Sequence, residues 1–262
     1  MKILENIRQQ KILEVRQRKT LYPVEVLEQS LFFDRSCASF KSHLSDTKQS
    51  GIIAEFKRRS PSKGNINRDA NVQVVTQGYI GAGAVALSVL TDERFFGAGN
   101  NDLKLAREFN CCPILRKDFI LDEYQIIESK AMGADAILLI AKLLPAAVIV
   151  QFTQLAHQLG MEVILETNNE TEIQANSDTN ADIIGINNRN LNTFEVDIEN
   201  SIRLAGLLPV PMIKIAESGI DSPATIGILK KNGFAGFLIG EYFMKSNDPV
   251  AQCQAFVNLL RI

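Results

Sequence analysis

The amino-acid sequence predicts an α/β fold, a closed (β/α)8 barrel of the TIM type, as one domain over residues 1–262 with an N-terminal helical extension over residues 1–48. Three observations predict it. Eight short apolar runs rich in Ile, Val and Leu recur along the chain, the signature of strands buried on both faces. They are spaced by about 20 to 35 residues, which leaves room for one helix after each. No Gly/Ser-rich linker or low-complexity segment divides the 262 residues, and an open doubly wound sheet, commonly of five or six strands, would leave two bare edges.

The elements follow in order. The first 48 residues precede the first strand run and set Ile3, Leu4, Ile7 and Leu13 as an apolar stripe, so a helix packing on the barrel is expected there, and their opening MKILENIRQQKILEVRQRK is charged throughout. The same stretch has neither the short apolar core nor the small-residue cleavage site of a signal peptide. The first three strand runs are GIIAEFK from Gly51, AVALSVL from Ala84 and PILRKDF from Pro113. Asp122 before EYQIIESKAM and Gly133 after it are start and stop signals of a helix. The fourth run, AILLIA from Ala136, leads into further apolar residues, but Lys142 and Pro145 cut that stretch. It reads as strand, loop and helix rather than a membrane span, with Pro145 in the first helical turn and Gly160 at the end. EVILET from Glu162, IIGINN from Ile183, MIKIAES from Met212 and GFLIGEYF from Gly236 complete the eight. Ser222-Pro223 opens the seventh helix and Asp248-Pro249 the last.

Composition narrows the partners. With 28 basic and 30 acidic residues the net charge is -2, so no global field favours nucleic acid or an anionic membrane, and an anionic ligand must be met locally. The four cysteines, Cys37, Cys111, Cys112 and Cys253, form no CxxC and no metal-like spacing with His43 or His157. Cys111 and Cys112 read as small apolar residues entering a strand. A reducing compartment and a cytoplasmic location are expected, with no metal.

In such a barrel the C-terminal strand ends line the active site. The first run ends Glu55-Phe56-Lys57, and period-two alternation sets both charges on one face. Lys117 closes the third, Glu166 the fifth, Asn187 with Arg189 the sixth, and Glu217-Ser218 the seventh. Any one of these alone is a solvated strand end. Several charges converging on one concavity would repel or be desolvated unless paired, which points to perturbed acids and bases. Pairing of Lys57 with Glu55 leaves a structural explanation open for those two.

Glycine marks a second feature: Gly219 after the seventh run and Gly240, followed by Glu241, after the eighth. Barrels often bind phosphate there through backbone N–H groups and a short helix N-terminus, although such glycines also serve backbone conformation. The segment RRSPSKG from Arg58, with Ser60, adds hydroxyls and cations that fold over such a ligand or form a solvated turn.

Five segments, AEFKRRSPSKG from Ala54, LRKDFILDEYQI from Leu115, GMEVILE from Gly160, IGINNRNL from Ile184 and IAESGI from Ile215, carry a resemblance over almost the whole chain. The sequence resembles the indole-3-glycerol phosphate synthase family. The resemblance implies active-site roles for Glu55, Lys57, Lys117, Glu166, Asn187, Glu217 and Ser218, and substrate contacts at Ser60, Arg189, Gly219, Gly240 and Glu241. Two departures stand out: Thr167-Asn168 where the family often has Val-His, and Glu241 where it often has Ser or Thr. A carboxylate beside a phosphate is unfavourable, so Glu241 is expected to lend its backbone N–H and turn its side chain outward.

The implied reaction converts 1-(2-carboxyphenylamino)-1-deoxyribulose 5-phosphate into indole-3-glycerol phosphate, with loss of carbon dioxide and water and no cofactor. Lys117 is the candidate acid for ring closure, Lys57 the second acid and holder of the substrate carboxylate, and Glu166 the base for dehydration, facing both lysines. Either lysine fits either step. Glu217 and Ser218 are expected to position the ribulose chain, Asn187 a hydroxyl or carboxylate, and Phe119 and Leu191 to wall the anthranilate ring. The partner is a phosphorylated small molecule and the chain is expected to act as a monomer. Two alternatives remain: a Schiff-base aldolase using a desolvated lysine, and a sugar-phosphate binder that keeps the glycines but lacks the catalytic groups.

Overall fold

Strands with no polar face must be covered on both sides, and a ring of strands wrapped by helices does this without leaving an edge. The computed structural model describes residues 2–61, 63–99, 101–189, 195–209 and 211–260. Eight parallel strands close the ring: β1 (Ile52–Phe56), β2 (Ala86–Leu90), β3 (Ile114–Lys117), β4 (Ala136–Ile140), β5 (Glu162–Thr167), β6 (Ile183–Asn187), β7 (Ile213–Glu217) and β8 (Gly236–Ile239). Each pairs with its successor in sequence, and β8 closes on β1 with Ile53 opposite Leu238. Every residue of β1, β2, β4 and β8 is buried. The run from Gly236 is not strand throughout: it breaks at Gly240, and its second half becomes a helical turn.

Three helices precede the ring: α1 (Lys2–Leu21), α2 (Val24–Leu27) and α3 (Phe40–Ser45). The remaining helices are α4 (Val72–Gly81), α5 (Glu93–Phe96), α6 (Asp102–Phe109), α7 (Glu123–Met132), α8 (Ala146–Gln158), α9 (Glu170–Ala175), α10 (Ile198–Ala205), α11 (Pro223–Lys231), α12 (Glu241–Met244) and α13 (Pro249–Leu260). Their ends obey local chemistry. Asp122 caps α7 by accepting from the Tyr124 N–H at 2.9 Å, and Gly133 ends it in the left-handed region. Ser222 caps α11 with Pro223 just inside. Pro145 is the N-cap of α8, one residue before the helix rather than inside its first turn.

The extension seals both ends of the ring. Phe40 and Leu44 of α3 are buried beneath the N-terminal strand ends. Ser39 Oγ donates to Glu162 Oε1 at 2.5 Å and Lys41 Nζ to Asp182 Oδ1 at 2.8 Å, at the starts of β5 and β6. At the opposite end, Leu4 and Ile7 of α1 reach the cavity at the strand C-termini. Arg18 and Lys19 fasten α1 to Glu128 and Asp122 around α7, at 2.5 and 2.8 Å. The expected stripe needs correction at Leu13, which is 57% exposed. The inward face runs Leu4, Ile7, Lys11 and Val15, at steps of three and four that keep one helical face, whereas Leu13 turns away from it. Lys11 occupies that face because carboxylates await its ammonium.

Candidate active site

The strand C-termini open into a cavity of about 470 Å³. Glu55 and Lys57, two residues apart on and just after β1, turn to the same side, and Lys57 Nζ donates to Glu55 Oε1 at 2.6 Å. From the end of β3, Lys117 Nζ crosses to Glu217 Oε2 on β7 at 2.5 Å and lies 3.5 Å from Glu166 Oε2 on β5. Asn187 Nδ2 donates to Glu166 Oε1 at 2.9 Å, and its own Oδ1 accepts the Arg189 N–H at 3.0 Å. Glu166 was expected to face both lysines. It meets Lys117 and Asn187, while Lys57 stays with Glu55.

Two glycines make room for this cluster. A Cβ at Gly185 in β6 would overlap Glu217 Oε1, and one at Gly240 would overlap the Glu55 carboxylate. Glycine within a strand marks such a close approach, and Gly185 inside the apolar run IIGINN carries that signal in the sequence itself. At Gly240 the reason for glycine is at least as much the space for Glu55 as the approach of a ligand.

Charge counting explains the electrostatics. Among the described residues, the ion-pair partners of Glu55, Glu166 and Glu217 are Lys57 and Lys117, so one carboxylate is in excess. Burial, opposed by Lys117 and reinforced by Glu166 and Glu55, pushes the Glu217 carboxyl up to about 7. For Lys117 burial favours loss of the proton, but Glu217, Glu166 and Glu55 outweigh it and hold the ammonium above its ordinary range. The carboxylates around Lys117 therefore favour its charged form at the cavity.

At the ends of β7 and β8 the backbone is set for an anion. Ser218 and Gly219 both have φ of 68°, a strained choice for Ser, and Asn188 Nδ2 pins the turn by donating to the Ser218 carbonyl at 2.7 Å. The N–H groups of Gly219, Gly240 and Glu241 donate to no backbone carbonyl among the described residues. Glu241 opens α12 and does not turn out to solvent as expected. Its carboxylate lines the cavity, with Oε2 3.3 Å from Arg189 Nη2 and Oε1 3.8 Å from Lys63 Nζ. In the loop after β1, Ser60 is buried and lines the cavity, while Arg58 turns away to pair with Asp102. Opposite this polar side lies an apolar wall of Leu4, Ile7, Leu90, Phe96 and Phe119, the last two rings 5.8 Å apart. Phe96 follows β2 at the functional end, where an aromatic pair in a loop was a readable signal. Leu191 lies outside the described residues. Among the described residues no group of three or more His, Cys, Asp or Glu side chains is placed to hold a metal ion.

Comparison with known proteins agrees across the chain. The family model described as indole-3-glycerol phosphate synthase matches residues 4–256. An indole-3-glycerol phosphate synthase of Bacteroides thetaiotaomicron is 45% identical over 259 residues, covering 99% of each chain. One from Laribacter hongkongensis is 38% identical over 253 residues, covering 95% of this chain and 96% of its own. A multifunctional tryptophan biosynthesis protein of Schizosaccharomyces pombe is 36% identical over 98% of this chain, which spans 35% of that longer protein. Among solved structures, a thiamine phosphate pyrophosphorylase from Pyrococcus furiosus superposes with a TM-score of 0.59 at 15% identity, covering 80% of this chain and 94% of its own. That likeness is one of fold.

Proposed function

This chain belongs to the indole-3-glycerol phosphate synthase family, and from that premise we propose how its barrel mouth carries out the family's reaction. The reaction is ring closure, decarboxylation and dehydration of 1-(2-carboxyphenylamino)-1-deoxyribulose 5-phosphate to indole-3-glycerol phosphate, a carbon–carbon lyase step of tryptophan biosynthesis. One observation carries the residue assignment: the Lys117 ammonium lies between two carboxylates at the rim of a cavity whose facing wall is apolar.

The anthranilate ring packs against Phe96 and Phe119, and the phosphate takes the free N–H groups of Gly219, Gly240 and Glu241 across the mouth. Arg189 and Lys63 hold the Glu241 carboxylate and blunt its repulsion of the phosphate, and Ser60 closes over the same side. Ring carbon then attacks the ribulose carbonyl. Lys117, already charged, stabilises the growing oxyanion and supplies its proton. Lys57 receives the substrate carboxylate, which leaves as carbon dioxide when the aromatic system is restored. Loss of the hydroxyl as water uses Lys57 as acid and Glu166 as base, with Asn187 orienting Glu166. Glu217 holds Lys117 in place, and Ser218 shapes the turn that carries the phosphate amides. A Schiff-base lysine must be an uncharged amine, and the carboxylates around Lys117 favour the opposite state.

We also infer that the chain works as a single unit in which residues 1–48 complete the barrel, as a monomer and in the cytoplasm. Four free thiols fit a reducing compartment, and among the described residues no helix is long and apolar enough to cross a membrane. The deciding experiment mixes purified protein with the carboxyphenylamino-deoxyribulose phosphate and follows indole by absorbance or fluorescence. Product that is inhibited competitively by inorganic phosphate is expected. Absence of product would overturn the proposal.

A further inference from the structure

A lysine is a costly occupant of a buried helix face, and Lys11, 1% exposed, is held there by three carboxylates. Its Nζ lies 2.7 Å from Asp92 Oδ2, 2.9 Å from Asp118 Oδ1 and 2.9 Å from Glu14 Oε2. Burial opposes the charge, yet Asp118, Asp92 and Glu14 outweigh it and keep the ammonium charged.

Both aspartates sit at strategic points. Asp92 is the N-cap of α5, accepting the Phe95 N–H at 2.6 Å, and α5 carries Phe95 and Phe96. Asp118 stands between Lys117 and Phe119. Its Oδ1 accepts the Phe119 N–H at 2.7 Å, and its Oδ2 accepts from Thr91 Oγ1 at 2.5 Å and Arg116 Nη2 at 3.1 Å. Arg116 is anchored in turn by Glu128 at 2.7 Å. Phe95 and Phe96 both pack on Phe119, at 6.2 and 5.8 Å. One ammonium thus ties the loop bearing half of the apolar wall to the strand end bearing the other half and the acid.

We propose that Lys11 is a positioning residue for ring closure, clamping Asp92 to Asp118 so that the Phe96–Phe119 wall and the Lys117 ammonium keep a fixed relation. Without it, two carboxylates face each other across the gap between β2 and β3, and the strand end that carries Lys117 loses one of its braces. Displacements of an ångström at a reacting group are enough to slow chemistry severely. The phosphate amides on β7 and β8 lie on the other side of the ring and are untouched. The inference rests on the assignment of Lys117 to the chemical step.

The test compares wild type, Lys11→Met, the charge-neutral double variant Lys11→Met/Asp92→Asn and Lys117→Met, each confirmed as folded by circular dichroism at the assay temperature. Asn at position 92 keeps an acceptor for the Phe95 N–H. The expected result is a fall in kcat of about tenfold or more in both Lys11 variants, while the inhibition constant of inorganic phosphate stays within about twofold. Lys11→Arg, which restores the ion pairs, is expected to recover part of the loss. Wild-type kcat in a folded Lys11 variant, even with a lowered melting temperature, would overturn the proposal, as would parallel loss of kcat and phosphate affinity. Should Lys11→Met not fold, the double variant decides by the same readouts. Substantial turnover in Lys117→Met would instead refute the assignment on which the proposal rests.

Discussion

Replacing Gly240 by Ala separates two reasons for a glycine at the end of β8. The residue has φ of −126°, outside the left-handed region, so the substitution is judged by the space around its Cβ. Its new methyl group, however, would lie 2.9 Å from Glu55 Cβ and 3.0 Å from Glu55 Cδ, and nearer still to Oε1. Rotating the carboxylate away relieves the tip but not the clash at Cβ, which is fixed to the β1 backbone. Strands β1 and β8 must therefore part by several tenths of an ångström. Overpacking of this kind costs roughly 1–3 kcal/mol, which for a chain of this length lowers the melting temperature by about 2–10 °C. Lys57, bonded to Glu55 at 2.6 Å, moves with it. Misplacement of that size at a catalytic acid slows turnover by about tenfold to a hundredfold. The assay is steady-state turnover followed by indole fluorescence, together with a thermal melt and the inhibition constant of inorganic phosphate. A large fall in kcat is expected, with phosphate binding changed much less. Wild-type kcat accompanied by weak phosphate binding would refute the reasoning and leave the ligand as the sole reason for glycine.

Lys117→Met is expected to lower turnover by about two to four orders of magnitude without unfolding the chain; more than about a tenth of wild-type turnover would remove Lys117 from the acid role. Glu166→Gln keeps the size and an acceptor for Asn187 but cannot take a proton, so rapid-quench analysis is expected to show carbon dioxide release outrunning indole formation. Strictly parallel slowing would place Glu166 at or before ring closure. Glu217 carries a pH signature: its carboxyl titrates near 7 when folded against an ordinary value of 4.5, so the folded chain retains a proton that the unfolded chain has lost. The stability it contributes is complete below about pH 4.5 and is lost as pH rises through about 7. Melting curves of Glu217→Gln are expected to lack that decline, and an unchanged pH slope would count against the buried, proton-retaining state.

The strands and the functional rim were legible because each rests on local pattern. Short Ile-, Val- and Leu-rich runs recurring along the chain read as doubly covered strands, and Glu55, Lys57, Lys117, Glu166 and Glu217 stand where those runs stop. What was not legible depends on pairs distant in sequence. Nothing near Lys11 announces Asp92 and Asp118, so Leu13 looked the better inward residue. Alternation placed Glu55 beside Lys57, but only closure of the ring brings Glu217 to Lys117, a hundred residues away. In the sequence Gly240 signals only what it offers a ligand, because its need to admit Glu55 depends on β1 and β8 being neighbours.

The two seals of the barrel also impose an order of events during synthesis. Residues of α1 and α3 leave the ribosome well before the groups that hold them: Lys41 meets Asp182 across 141 positions, Ser39 meets Glu162 across 123, and Arg18 meets Glu128 across 110. Contacts this remote form only after their loops have closed, and closing long loops slows folding. The α1 segment must therefore wait until Glu128 has emerged, and the α3 segment until Glu162 and Asp182 have. During that interval a chaperone or a neighbouring nascent chain competes for their apolar side chains, including the Leu4 and Ile7 that will wall the cavity. Segments made before their partners are thus among the last to find their place.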